Sequence, residues 1–206
     1  RDNDCSGVVD DAPACAKVSH DPSPVVVAAG SFTMGSPEGV GAADEHPRHV
    51  VKTKAFVLDR YEVTNARYRA CVDAGSCSAP ALASSNRRDD YFRNAAFDAY
   101  PVVHVSHQQA TAFCAADGGR LPTEAEWEKA ARGPGHDVRT FPWGNESADC
   151  SKANMGGDKS CVGDTDIVGR RAAGKSPIGA FDMAGNVWEW TSDVYDAKYY
   201  EKSPAE

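Results

Sequence analysis

Between residues 179 and 193 the chain reads Gly-Ala-Phe-Asp-Met-Ala-Gly-Asn-Val-Trp-Glu-Trp-Thr-Ser-Asp. Asp182 and Glu189 supply carboxylate oxygens there, and Gly185 and Val187, alternate residues between them, can supply backbone carbonyls. Gly185 carries no Cβ, so its backbone can come close to an ion. Calcium takes about six to eight oxygens from carboxylates, carbonyls and water, and these positions together with water suit it. Apolar rings beside acids predict a dry corner in which a charged group needs a partner. On this reading the surrounding aromatic rings, Trp188 and Trp190 among them, wall the ion off from solvent. The alternative is that Phe181, Met183, Val187, Trp188 and Trp190 are simply core, with the acids at the surface.

Asn154 can give a side-chain oxygen and Met155 a carbonyl, which makes a second oxygen-bearing pair. His46 and His49 are separated by Pro47, which breaks helical presentation, so surface or structural roles are expected. His104 and His107 straddle a helix cap and are expected to pack; no histidine pair has the spacing a non-haem iron site would need. Glu124, Glu126 and Glu128 fall in a first helical turn, where carboxylates serve the cap and the dipole rather than acid–base catalysis. Asp2-x-Asp4-x-Ser6-Gly7 opens like an EF-type loop, but Pro13 stands where its closing Glu would be.

The elements that must position these residues are few. Val25 to Met34 predicts a strand turning at Gly30, and Val50 to Leu58 alternates like a second. Thr64 caps a helix that runs to Val72 and ends at Gly75. Ser106-x-x-Gln109 and Thr123-x-x-Glu126 are capping boxes opening two more helices, stopped by Gly118-Gly119 and by Gly133-Pro134. Ala110, Phe113 and Cys114 share one helix face; Trp127, Ala130 and Ala131 share another. Residues 78 to 100 read as a long solvated loop, an interaction surface being the alternative. From Gly144 to Gly179 no period holds.

The chain has 206 residues, 41% of them hydrophobic, and a net charge of −8. A single domain with a real core follows. The acidic balance excludes nucleic-acid binding, which needs a basic face, and no apolar run spans a membrane. Seven cysteines, six of them in close pairs, predict local bridges Cys5–Cys15, Cys71–Cys77 and Cys150–Cys161, with Cys114 free, and an exported, extracytoplasmic protein, secreted or periplasmic. Residues 1–24 read as an N-terminal extension and 25–206 as the domain; Ser203-Pro204-Ala205-Glu206 reads as an exposed end.

Six blocks together resemble the formylglycine-generating enzyme, or sulfatase-modifying factor, family: Phe32-Thr-Met-Gly-Ser36, Tyr61-Glu-Val-Thr-Asn65, Pro101-Val-Val-His-Val-Ser106, Arg120-Leu-Pro-Thr-Glu-Ala-Glu-Trp-Glu128, Phe141-Pro-Trp-Gly-Asn145 and Asp182-Met-Ala-Gly-Asn-Val-Trp-Glu-Trp190. The resemblance implies an α+β fold related to C-type lectins, loop-rich with little regular secondary structure. It implies calcium at Asp182, Gly185, Val187 and Glu189, and a second calcium at Asn154 and Met155. There an acid completes the site, with Asp158, Asp164 and Asp166 as candidates. The family's enzymes use copper(I) and oxygen to convert a cysteine in a Cys-x-Pro-x-Arg segment of a protein or peptide substrate to formylglycine. Copper is expected here only if a further C-terminal segment, carried on a separate fragment of the protein, supplies two cysteines. Two functions are therefore carried forward: part of such an oxidase, or a non-catalytic binding or scaffold module on the same fold.

Overall fold

The computed structural model describes residues 24–135, 139–157 and 160–203. The extension, the Cys5–Cys15 pair, His136, Asp158 and residues 204–206 lie outside them. β1 (Val25–Val27) pairs antiparallel with β4 (Phe56–Leu58), and β2 (Gly30–Met34) with β3 (His49–Thr53). Each of the two strands expected from sequence is thus broken in the middle. Lys129, a fully buried lysine, sits at the break: its Nζ donates to the carbonyls of Ala28 and Gly30 and to Thr53 Oγ1 at 2.7–2.9 Å. Three acceptors meet the cost of burying its ammonium.

Three helices follow as expected. α1 (Asn65–Asp73) starts on Thr64, whose Oγ1 accepts from the Arg67 N–H. α2 (His107–Ala116) and α3 (Glu124–Arg132) open with complete capping boxes at Ser106 and Thr123. Glu126 closes its box and is gripped by Arg120, Glu128 pairs with Arg132, and Glu124 accepts from Tyr200, so all three glutamates of that turn are structural.

One core cluster joins β1, β4 and α3 to Ala180 and Met183, so the segment of interest is anchored on the sheet–helix layer. A second gathers Tyr68, Phe92 and Phe113 between α1 and α2. Loop 78–100 is not simply solvated, because Tyr91 and Phe92 are buried in it. Arg88 caps the rings of Tyr91, Phe97 and Tyr100 at 4.9–5.7 Å and donates to the Thr165 carbonyl. Cys71–Cys77 and Cys150–Cys161 are bridged and Cys114 is free. No helix among the described residues is long and apolar enough to cross a membrane.

Candidate metal centre

The segment after Ala180 begins with two clasps to Arg60: Arg60 donates to the Gly179 carbonyl at 3.1 Å, and the Phe181 N–H donates to the Arg60 carbonyl at 2.9 Å. Asp182 then takes a left-handed backbone (φ 54°), which Asp tolerates better than most side chains. It is buried, and its Oδ2 accepts from the Gly169 N–H at 2.6 Å. Burial raises its pKa, and Asp166 adds to this while Arg171 opposes it.

Gly185 is indispensable for a reason the sequence did not suggest. A Cβ there would stand 2.7 Å from the Asn154 carbonyl oxygen, at φ 96°. Its bare backbone admits a neighbouring loop. Among the described residues neither the Gly185 nor the Val187 carbonyl accepts a hydrogen bond, so both keep the lone pairs a cation requires.

Glu189 reaches α3, where Trp127 Nε1 donates to its Oε2 at 3.0 Å. The residue as a whole is exposed, yet enough protein surrounds the carboxylate that desolvation, followed by the Asp182 charge, pushes its pKa up to about 7.

Two residues outside the expected set lie against the loop. Glu62, in the turn between β4 and α1, is buried; its Oε2 accepts from Asn186 Nδ2 at 2.6 Å, and its Oε1 has no hydrogen-bond partner. Its pKa lies well above the carboxylate range, first through desolvation, then through Glu189 and Asp182. Asn186 (φ 63°) donates its N–H to the Asn154 carbonyl, while its Oδ1 accepts from Asn154 Nδ2 at 3.0 Å and from the Asp166 N–H at 2.8 Å. Glu62 lies inside one of the six blocks and Asn186 inside another. No spacing within either block reveals that the two meet.

The second expected set is only partly assembled. Asn154 Oδ1 is buried without a partner, as a ligand oxygen would be. The Met155 carbonyl, however, accepts from the Cys161 N–H. Asp164 is already occupied by Ser85, by the Arg87 and Thr165 N–H groups and by Arg88. Asp166 is held by Arg170 and Arg171.

The tryptophans do not form the expected dry wall. Trp188 is fully exposed and Trp190 is 48% exposed, its Nε1 donating to the Val105 carbonyl. Glu189 turns inward to Trp127, and neighbours in an extended segment point opposite ways, which leaves Trp188 outside. The apolar side of the centre is made instead by Ala180, Met183 and the Tyr61–Phe181 ring pair. Trp188 overhangs a cavity of about 200 Å³ that also touches Glu62, Phe113 and Cys114.

Among the described residues no three His, Cys, Asp or Glu side chains converge on one point, Glu62, Asp182 and Glu189 included. The carboxylates of Asp182 and Glu189 and the free carbonyls of Gly185 and Val187 are hard oxygen donors, the kind calcium takes. They do not fit copper(I), which wants thiolates. Among the described residues Cys114 is the one free thiol; it is half-buried and its pKa is pushed up to about 11 by burial. His49 Nδ1 donates to the Pro47 carbonyl at 2.9 Å and the ring packs edge-on against Tyr200, a structural placement as expected.

Residues 10–205 match the model of the sulfatase-modifying factor enzyme 1-like domain. The hercynine oxygenase of Mycolicibacterium thermoresistibile is 38% identical over 72% of this chain and 38% of its own length. The formylglycine-generating enzyme of Streptomyces coelicolor is 35% identical over 85% of this chain and 70% of its own. The inactive C-alpha-formylglycine-generating enzyme 2 of Bos taurus is 32% identical over 82% and 69%. This chain therefore spans about four-tenths of the hercynine oxygenase's length. Among solved structures, PvdO from Pseudomonas aeruginosa superposes with a TM-score of 0.71 at 29% identity, covering 89% of this chain and 74% of that one.

Proposed function

Because the chain belongs to the sulfatase-modifying factor enzyme 1-like family and has its loop-rich α+β fold, we propose that it is an exported, calcium-stabilised member whose described residues form the scaffold of an oxidase. The observation that carries this reading is Glu62 Oε1, a buried acceptor with no hydrogen-bond partner beside Asp182 and Glu189, together with Asn154 Oδ1, likewise buried and unpartnered on the other side of Asn186. An unsatisfied buried polar atom costs about 1–3 kcal/mol, and more when charged. A divalent cation removes that cost at both positions. Asp182, Glu189 and the carbonyls of Gly185 and Val187 would hold one ion, with Asn154 and the second lone pair of the Met155 carbonyl beginning a second site. Calcium supplies charge and a cross-link between loops that have little regular structure. Two short-range disulfides supply the same fastening and agree with an extracytoplasmic location.

The chemistry implied by the resemblance is copper- and oxygen-dependent conversion of a substrate cysteine to formylglycine. The described residues hold no pair of free thiols for it. No step is assigned to them, and a separate C-terminal fragment of the protein would be the partner that brings the thiolates. That same lack favours a second reading, a non-catalytic binding module, for which the exposed Trp188 beside its cavity offers a contact face.

The deciding measurement uses the purified chain with calcium, copper(I), oxygen and a Cys-x-Pro-x-Arg peptide, read with an aldehyde-reactive probe. Aldehyde formed only when a co-purifying fragment is present supports the scaffold reading. Retention of the peptide without aldehyde in both states selects the binding module. Neither retention nor aldehyde rejects both.

A further inference from the structure

Two of the buried acceptors without hydrogen-bond partners, Glu62 Oε1 and Asn154 Oδ1, share a neighbour. Glu62 presents Oε1 because its Oε2 is taken by Asn186 Nδ2. Asn154 presents Oδ1 because its Nδ2 is taken by Asn186 Oδ1 and by the Asp164 carbonyl. A side-chain amide or carboxylate has only two polar ends, so fixing one end aims the other. Asn186 also donates its own N–H to the Asn154 carbonyl, and it lies in sequence between Gly185 and Val187, whose carbonyls are the candidate ligands. One residue thus orients Asn154 Oδ1 of one candidate site and lies between the carbonyl ligands of the other.

We infer that Asn186 is a positioning residue coupling the two sites, so that calcium at either raises the affinity at the other. This rests on the calcium reading above. The element that changes is the Asn154–Asn186–Glu62 hydrogen-bond chain. Calcium at the 182–189 loop would fix the backbone at residue 186 and hence the direction of Asn154 Oδ1; calcium at Asn154 would fix the same bonds from the other end. Each ion then avoids an ordering cost that the other has already met, which is positive coupling and is necessarily reciprocal.

The test is calorimetric titration of calcium into chelator-stripped protein. Asn186→Gly is the main variant, since φ 63° is freely available to glycine and only the side chain is lost. The native chain is expected to bind two ions cooperatively. Asn154→Ala is expected to weaken calcium at the Asp182 loop by about 5-fold or more, within the usual range of couplings between sites. In the Asn186→Gly background the same substitution should change that affinity less than about 2-fold. If Asn186→Gly does not fold, Asn186→Ser, judged by its melt in saturating calcium, takes its place. Equal losses in both backgrounds overturn the role of Asn186. A single bound ion per chain, or an Asp182-loop affinity unmoved by Asn154→Ala, overturns the coupling and leaves calcium at that loop standing. No heat at all from the native chain overturns the calcium reading, and the coupling with it.

Discussion

Trp127 Nε1 donates to Glu189 Oε2 at 3.0 Å, so the middle of α3 holds the last carboxylate of the 182–189 loop. The indole is partly buried against the core formed by β1, β4 and α3. A rigid element is therefore tied directly to a loop with no regular structure. Trp127→Phe keeps the ring and removes the donor. It is expected to cost about 1 kcal/mol of stability, the usual worth of one hydrogen bond, and to weaken calcium binding several-fold. Denaturant unfolding and calcium titration check both; an unchanged affinity would mean that the indole does not aim the carboxylate.

The pKa of about 7 at Glu189 sets a pH dependence for the calcium-free protein. An unfolded glutamate titrates near ~4.3, so the folded chain holds this proton more tightly. The stabilisation is complete below the unfolded pKa and is lost as pH rises towards about 7; Glu62 shifts in the same direction. Stability without calcium should fall across this window. Calcium affinity should rise across it, because ion and proton compete for the same oxygens. Melts from acid to neutral pH in chelator, repeated in calcium, test the opposed trends.

Chelation should lower the unfolding temperature. A ligand bound only to the native state at a hundredfold excess over its Kd stabilises by about 2.7 kcal/mol. For a chain of this size that corresponds to roughly 5–10 °C. A melt unmoved by excess chelator would count heavily against the Asp182 loop.

Gly185→Ala should be among the most damaging small substitutions. The new methyl would meet the Asn154 carbonyl at 2.7 Å in a backbone conformation that disfavours side chains. A loss of roughly 2–4 kcal/mol is expected, the range of substitutions that force a close-packed backbone apart. Gly144→Ala, whose Cβ would meet nothing within 4 Å, is the control for strain alone.

Thiol counting under denaturing, non-reducing conditions should find Cys114 alone, provided Cys5 and Cys15 pair as their spacing predicts. Three or more reactive thiols would remove the argument for export.

What the sequence determined by itself is what local chemistry controls. Thr64, Ser106 and Thr123 cap their helices because the acceptor and its N–H donor lie three residues apart. Cys71–Cys77 and Cys150–Cys161 close loops too short to offer other partners. The six motif blocks identified the family for the same reason, as contiguous patterns. Only the tertiary structure decided what depends on distant segments meeting. Glu62 and Asn186 are 124 positions apart and Trp127 and Glu189 are 62 apart, so no periodicity links them. Lys129 bonds the carbonyl of Ala28, 101 positions before it, and Trp188 is exposed while Glu189 turns to α3. Burial and hydrogen-bond partnership belong to the packed chain as a whole; a residue's type states only which partners it needs.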